Sequence, residues 1–141
     1  MTPDINYWAV IVATLSSMVV GSIWYTPRVF GKYWMKATGV DPSTGTASDA
    51  VVPIVVTLFV SFITAWVLAG AAFISQEFYG GSFLGNSLIT ALVLWAGFTA
   101  ARFVTHDAFD KRPSGLTILN ISHELVTIVI MALIIGVWPP A

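Results

Sequence analysis

Cysteine is absent from this 141-residue chain, and charge is scarce. The missing thiols exclude disulfides, thiolate catalysis and cysteine-held metals or iron–sulfur clusters. Only 9% of the residues are charged and 57% are hydrophobic, whereas soluble domains carry roughly a quarter charged residues, so the composition is that of a membrane protein. No basic block occurs and the net charge is −1, which argues against nucleic acid as a partner. No basic region precedes the first apolar run and no small-residue cleavage pattern follows it, so that run reads as a retained span. The sequence also lacks a Gly-x-Ser-x-Gly elbow and a phosphate-cradling loop, and with them any sign of an enzyme.

What the chain has instead is long apolar runs. A helix needs about twenty mostly apolar residues to cross a hydrocarbon core of roughly 30 Å. Four stretches meet this, at residues 5–24, 51–75, 84–104 and 118–138, each bounded by breakers such as Pro27, Gly80-Gly81, Pro113 and Pro139-Pro140. The expected fold is an all-α membrane protein, one integral domain over residues 1–141, built as a four-transmembrane-helix antiparallel bundle. The connection at residues 39–50, rich in Gly, Ser, Thr and Asp, reads as a solvated linker.

All six basic residues fall at two connections, Arg28, Lys32 and Lys36 after the first span and Arg102, Lys111 and Arg112 around the third. In a four-span chain those connections share one side. The positive-inside rule then places both basic loops in the cytoplasm and both termini outside a plasma or inner membrane. Tyr7, Trp8, Tyr79 and Trp138 mark the outer boundary, and Trp24, Tyr25, Tyr33 and Trp34 the inner one. Trp66 and Trp95 lie near mid-span and are expected to pack between helices.

Small residues recur every fourth position, as Ala9, Ala13, Ser17 and Gly21 on the first span and Thr57, Ser61, Ala65 and Ala69 on the second. In lipid no hydrophobic force draws helices together, so ridges that let backbones approach are a main source of association. These two spans are expected to cross through them, or the ridges to serve a dimer. Gly97 and Ala101 offer a lesser pair on the third span.

After the first span comes Gly21-Ser22-Ile23-Trp24-Tyr25-Thr26-Pro27-Arg28-Val29-Phe30-Gly31-Lys32-Tyr33-Trp34. Thr26 as a cap and Pro27 in the first turn predict a short amphipathic helix over residues 27–37. Arg28, Lys32 and Lys36 would lie on one face, near lipid head groups, and Val29, Phe30, Tyr33 and Trp34 opposite. This run, of the form Gly-x-Ile-Trp-Tyr-Thr-Pro-x-x-Phe-Gly-Lys-x-Trp, resembles the signature of a family of small bacterial and fungal membrane proteins catalogued as domain of unknown function 1761. The four-span layout, the short second connection and the polar start of the last span are similar too. The resemblance implies an architecture and no activity, and it brings no catalytic residues with it.

The chemistry of the chain concentrates in Asn120-Ile121-Ser122-His123-Glu124, at the start of the last apolar run. An unpaired charge inside a bilayer costs several kcal/mol or more, so Glu124 must be paired, neutralised or wet. Asn120, Glu124, Thr127 and Met131 share one helical face with His123 at its edge, while Leu125, Val129 and Leu133 point to lipid. On the third span Trp95, Phe98, Arg102 and His106 form a stripe of their own. If the third and fourth spans are antiparallel neighbours, Arg102 comes within a turn of Glu124, predicting an Arg102–Glu124 ion pair completed by Asn120 and His123. His106, Asp107, Asp110, His123 and Glu124 are the only candidate metal or haem ligands, and no such cofactor is expected.

Two kinds of function follow. One is a non-enzymatic structural or accessory subunit acting by helix packing, with itself as a homo-oligomer or within a larger membrane complex. The other is an oligomeric proton- or ion-coupled small transporter or channel using Glu124.

Overall fold

Backbone groups in lipid can satisfy one another only within helices or closed barrels, and each of the four apolar runs is helical. The structure is a computed structural model and describes residues 2–141. Helix α1 spans Tyr7–Trp24, and after a tight turn α2 spans Gly31–Thr38. Two short 3₁₀ turns, Pro42–Thr44 and Ala47–Ala50, lead into α3, Val51–Tyr79. Helix α4, Phe83–Leu94, continues through a π-helical stretch, Trp95–Ala100, into α5, Ala101–Phe109; α6 is Ser114–Val137. Among the described residues there is no strand. Helices α1, α3, α4–α5 and α6 are each long and apolar enough to cross a membrane. The chain is an all-α multi-pass membrane protein.

The helix ends differ from the sequence expectation by a few residues. Asn6 opens α1 by accepting from the Trp8 and Ala9 amides at 3.1 and 3.2 Å. Its amide also donates to the Trp138 carbonyl at 3.2 Å, so both ends of the chain meet at one end of the bundle. Helix α3 runs past Ser75 to Tyr79, and Gly80 and Gly81, at φ 67° and 79°, turn the chain into α4. Helix α6 starts at Ser114, directly after Pro113, and not at residue 118.

The expected amphipathic helix is shorter than residues 27–37. Thr26 does not cap it: its hydroxyl donates back to Ile23 O at 2.9 Å, while its carbonyl accepts from the Val29 and Gly31 amides. The chain thus makes a turn through Arg28 before α2 begins at Gly31. There the backbone folds so tightly that a Cβ would collide with the Tyr25 carbonyl, which only glycine avoids.

In the bundle α1 packs against α3 and α6, and α4 packs against the same two. The expected ridges do meet at the centre. Ala9, Ala13, Ala65 and Ala69 are buried in one cluster with Leu68, Ala91, Met131 and Ile135, and Ser17 and Ser61 are buried beside them. A seam not anticipated from the sequence lies between α4 and α6 at Gly136. A Cβ there would stand 2.9 Å from the Leu84 Cα and 3.3 Å from the Ser87 Cβ. Gly97, by contrast, faces open space.

Two mid-span tryptophans part ways. Trp95 is a packing residue as expected, its indole donating to the Ile121 carbonyl of α6 at 2.8 Å. Trp66 is not, since it is 45% exposed on the outside of α3. The first ten residues of α3, Val51 to Val60, are exposed on every side, and Ser61 is the first to be buried. The start of α3 therefore stands away from the bundle.

Candidate functional site

Where α3 stands away, a cleft of about 670 Å³ opens between α1, α3 and α6. His123, Glu124, Thr127 and Met131 of α6 form its back wall. Ser17, Gly21 and Tyr25 line the α1 side, and Thr57, Ser61 and Thr64 add hydroxyls from α3. Glu124 lies ten residues into α6, about 15 Å along its axis at 1.5 Å per residue, and its side chain is 41% exposed, into this cleft.

Each polar group on the α6 wall has a named neighbour. Glu124 Oε1 lies 3.3 Å from His123 Nδ1, and His123 Nε2 lies 3.5 Å from the Thr127 hydroxyl. One tautomer satisfies both contacts, with Nδ1–H donating to the carboxylate and Nε2 accepting from Thr127. One turn earlier Asn120 Oδ1 accepts from the Tyr25 hydroxyl at 2.9 Å, joining the end of α1 to α6. Helix α1 passes the imidazole at Gly21, where a Cβ would sit 3.5 Å from His123 Nε2.

An aromatic shell closes one side of the imidazole. The Tyr25 and Trp24 rings lie 5.0 and 5.9 Å from the His123 ring, and Trp34 meets Tyr25 edge-on at 5.8 Å. Trp24, Tyr25 and Trp34, expected at the inner membrane boundary, are half-buried around the site. The tight turn at Gly31 brings Trp34 of α2 back to the Tyr25 ring. The Trp24 Nε1–H is buried without a hydrogen-bond partner among the described residues. Pro27, Arg28, Lys32 and Lys36 remain exposed, as an interfacial motif requires.

The expected Arg102–Glu124 pair does not form. Among the described residues the side-chain partner of Glu124 is His123, and Arg102 is exposed on α5. The π-helical stretch explains the difference. A π turn takes in one residue more than an α turn, so side chains beyond it are rotated by about 100°. Trp95, which opens the stretch, faces α6; Phe98 within it is 75% exposed, and Arg102 and His106 beyond it are exposed too. The rotation brings Asp107 inward instead, where it accepts from the Thr117 hydroxyl at 2.7 Å and neighbours Arg112 at 3.8 Å. His123 and Glu124 are the one touching pair of the five expected candidates, and among the described residues no three His, Asp or Glu converge as metal ligands do.

A second chamber of about 650 Å³ adjoins the cleft and shares Gly21, Ser22 and Tyr25 with it. It reaches the loop after α2, where Asp41 accepts from the Ser43 hydroxyl and amide at 2.6 and 2.9 Å. Those two bonds, the side-chain one foremost, hold the Asp41 carboxyl below its ordinary value of 3.8. Sequence reasoning read this loop as a linker only. The signal it carried was the Asp41-Pro42-Ser43 turn, in which an Asp side chain bonds the amide two residues on.

No match to the chain was found among curated proteins, nor among solved structures. The family described as Protein of unknown function (DUF1761) matches residues 8–136, and the chain belongs to that family.

Proposed function

We infer that this protein is a small, non-enzymatic membrane carrier whose cleft holds an exchangeable proton or cation at Glu124. The observation that carries the reading is that Glu124 is half-exposed in a cleft and paired with His123 alone among the described residues. A carboxylate kept for helix register would be matched by a fixed cation and sealed, as buried pairs are. An ionisable group facing an intramembrane cleft marks a pathway more often than a strut. The neighbouring imidazole sets one ring nitrogen toward Glu124 and the other toward Thr127, which suits it to relay a proton between them.

The six exposed basic residues support the orientation in which the mouth near α2 faces the cytoplasm. Toward the termini the cleft is stopped by the packed ridges Ala9–Ala13 and Ala65–Ala69. A through-path therefore calls for rearrangement of the bundle or for a second copy of the chain. The alternative, an accessory subunit of a larger complex, draws on the same ridges, but these are used up inside the chain.

The test is proton–cation exchange in liposomes carrying an internal pH dye. Outward gradients of sodium, potassium and a quaternary ammonium ion are imposed in turn. The expected result is internal acidification by at least one of them with the wild type and none with Glu124→Gln, inserted at the same level. Equal responses from the two proteins, or none from either while Glu124→Gln loses folded protein, would return Glu124 to a structural role.

A further inference from the structure

The cleft has a composition that narrows what it can hold. Its wall carries one carboxylate, Glu124, and neither a lysine nor an arginine. All six basic side chains lie elsewhere, exposed in the turn before α2, on α2, on α5 and in the connection to α6. The remaining surface is mainly apolar, with Met18 and Met131 as its two adaptable, polarisable side chains and uncharged hydroxyls from Ser17, Ser22, Thr57, Ser61, Thr64 and Thr127. A space of about 670 Å³ suits a molecule of drug-like size far better than a bare metal ion. Pro53, Ile54 and Val60 of α3 line the cleft while being exposed on the outside of the bundle, so the gap between α1 and α3 opens toward lipid. The adjoining chamber repeats the combination, with Asp41, Tyr25 and Trp34 all on its wall. Carboxylates set among apolar and aromatic walls complement a charge that is positive, diffuse and carried on a greasy body.

We propose that the cleft binds a lipophilic organic monocation, such as a quaternary ammonium or phosphonium ion or a protonated amine, taken from the bilayer between α1 and α3 and held against Glu124. This deepens the carrier reading and rests on Glu124 being an exchangeable site. The positive centre sits at the carboxylate, with the His123 imidazole beside it and the Tyr25 ring forming the partition toward the second chamber. The apolar body lies along Met18, Met131 and the start of α3. Neither Asp41 nor Glu124 has a fixed cation to displace, because Asp41 is bonded to Ser43 and Glu124 to His123.

A pair of probes of one shape and opposite charge tests this. Tetraphenylphosphonium and tetraphenylborate are titrated against the full-length protein in mild detergent, read by the fluorescence of its six tryptophans. The cation is expected to bind saturably and the anion at least about tenfold more weakly, a difference of about 1.4 kcal/mol. Glu124→Gln should lose about tenfold in affinity for the cation. Thr57→Trp, which fills the cleft from an exposed position on α3 and leaves Glu124 in place, should lose as much. Arg102→Ala should bind as the wild type does. Size-exclusion profiles establish that each variant is folded. Equal binding of both probes, or equal binding of the cation by wild type, Glu124→Gln and Thr57→Trp, overturns the proposal. If neither probe binds while sodium or potassium still drives Glu124-dependent acidification, the ligand class falls and the carrier reading stands. If Glu124-dependent exchange is missing for every cation, both fall together.

Discussion

The Thr117 hydroxyl donates to the Asp107 carboxylate at 2.7 Å, fastening the end of α5 to the start of α6 across the short connection between them. Both residues are buried, and Arg112, at 3.8 Å, is the nearest cation to that carboxylate. Replacing Thr117 by valine keeps the shape and removes the donor. The cost of leaving a buried acceptor short of a partner is about 1–3 kcal/mol. Thermal unfolding in detergent, followed by circular dichroism, should show Thr117→Val destabilised by that order and Thr117→Ser close to wild type. Identical melting of all three would mean that the hairpin does not depend on this bond.

The seam at Gly136 makes a second expectation. A methyl group there meets the Leu84 backbone, which cannot swing aside as a side chain can. Gly136→Ala should destabilise the bundle by about 1–3 kcal/mol through overpacking. Gly97→Ala is the control, because nothing lies within 4 Å of the position and alanine is the better helix former. Equal melting temperatures for the two variants would show that α4 and α6 do not cross at Gly136.

Arg102 and Glu124 should behave independently. Since Arg102 stands exposed beyond the π-helical stretch, Arg102→Ala is expected to change stability by less than about 0.5 kcal/mol. The double exchange Arg102→Glu/Glu124→Arg should be no better folded than the worse single variant. Recovery of the double variant above both singles, measured as monodisperse protein, would restore the ion pair that the sequence suggests.

Acid should loosen the entrance to α3. Asp49 accepts from the Thr46 amide at 2.7 Å and from its hydroxyl at 2.9 Å, closing a capping box on the turn that leads into the helix. These bonds, the backbone one foremost, lower the Asp49 pKa from its ordinary value of 3.8. A carboxyl whose pKa is depressed by folding contributes stability above its unfolded value, and that contribution is lost as pH falls through the folded one. Protection of the Thr46 amide from hydrogen exchange should therefore hold at neutral pH and weaken below the ordinary value. In Asp49→Asn it should be reduced at neutral pH as well. Unchanged protection across that range in the wild type would remove Asp49 from the cap.

The parts of this fold that composition dictates were legible in the sequence. Runs such as Val51–Ser75 can satisfy their backbone in lipid only as helices, and the alanines at 13, 65 and 69 announce a close crossing because nothing larger would fit. The polar face through Asn120, Glu124 and Thr127 was equally readable from its spacing. What was lost was phase and partner. A stripe through Trp95, Phe98 and Arg102 presumes 3.6 residues per turn, and the π-helical stretch breaks that count without any proline to announce it. The Tyr25–Asn120 bond joins residues far apart in sequence, and it depends on α1 lying against α6. Gly136 was passed over as one small residue in an apolar run, although it fixes a helix crossing.

The unequal lengths of α1 and α3 make the site answer to the membrane itself. Their 18 and 29 residues extend about 27 and 43 Å at the usual rise. In a hydrocarbon slab of about 30 Å, α1 fits nearly upright, whereas α3 must lean or project. Mismatch with the slab therefore falls on α3 and not on α1, and the start of α3 is the part of it that lines the cleft beside Glu124.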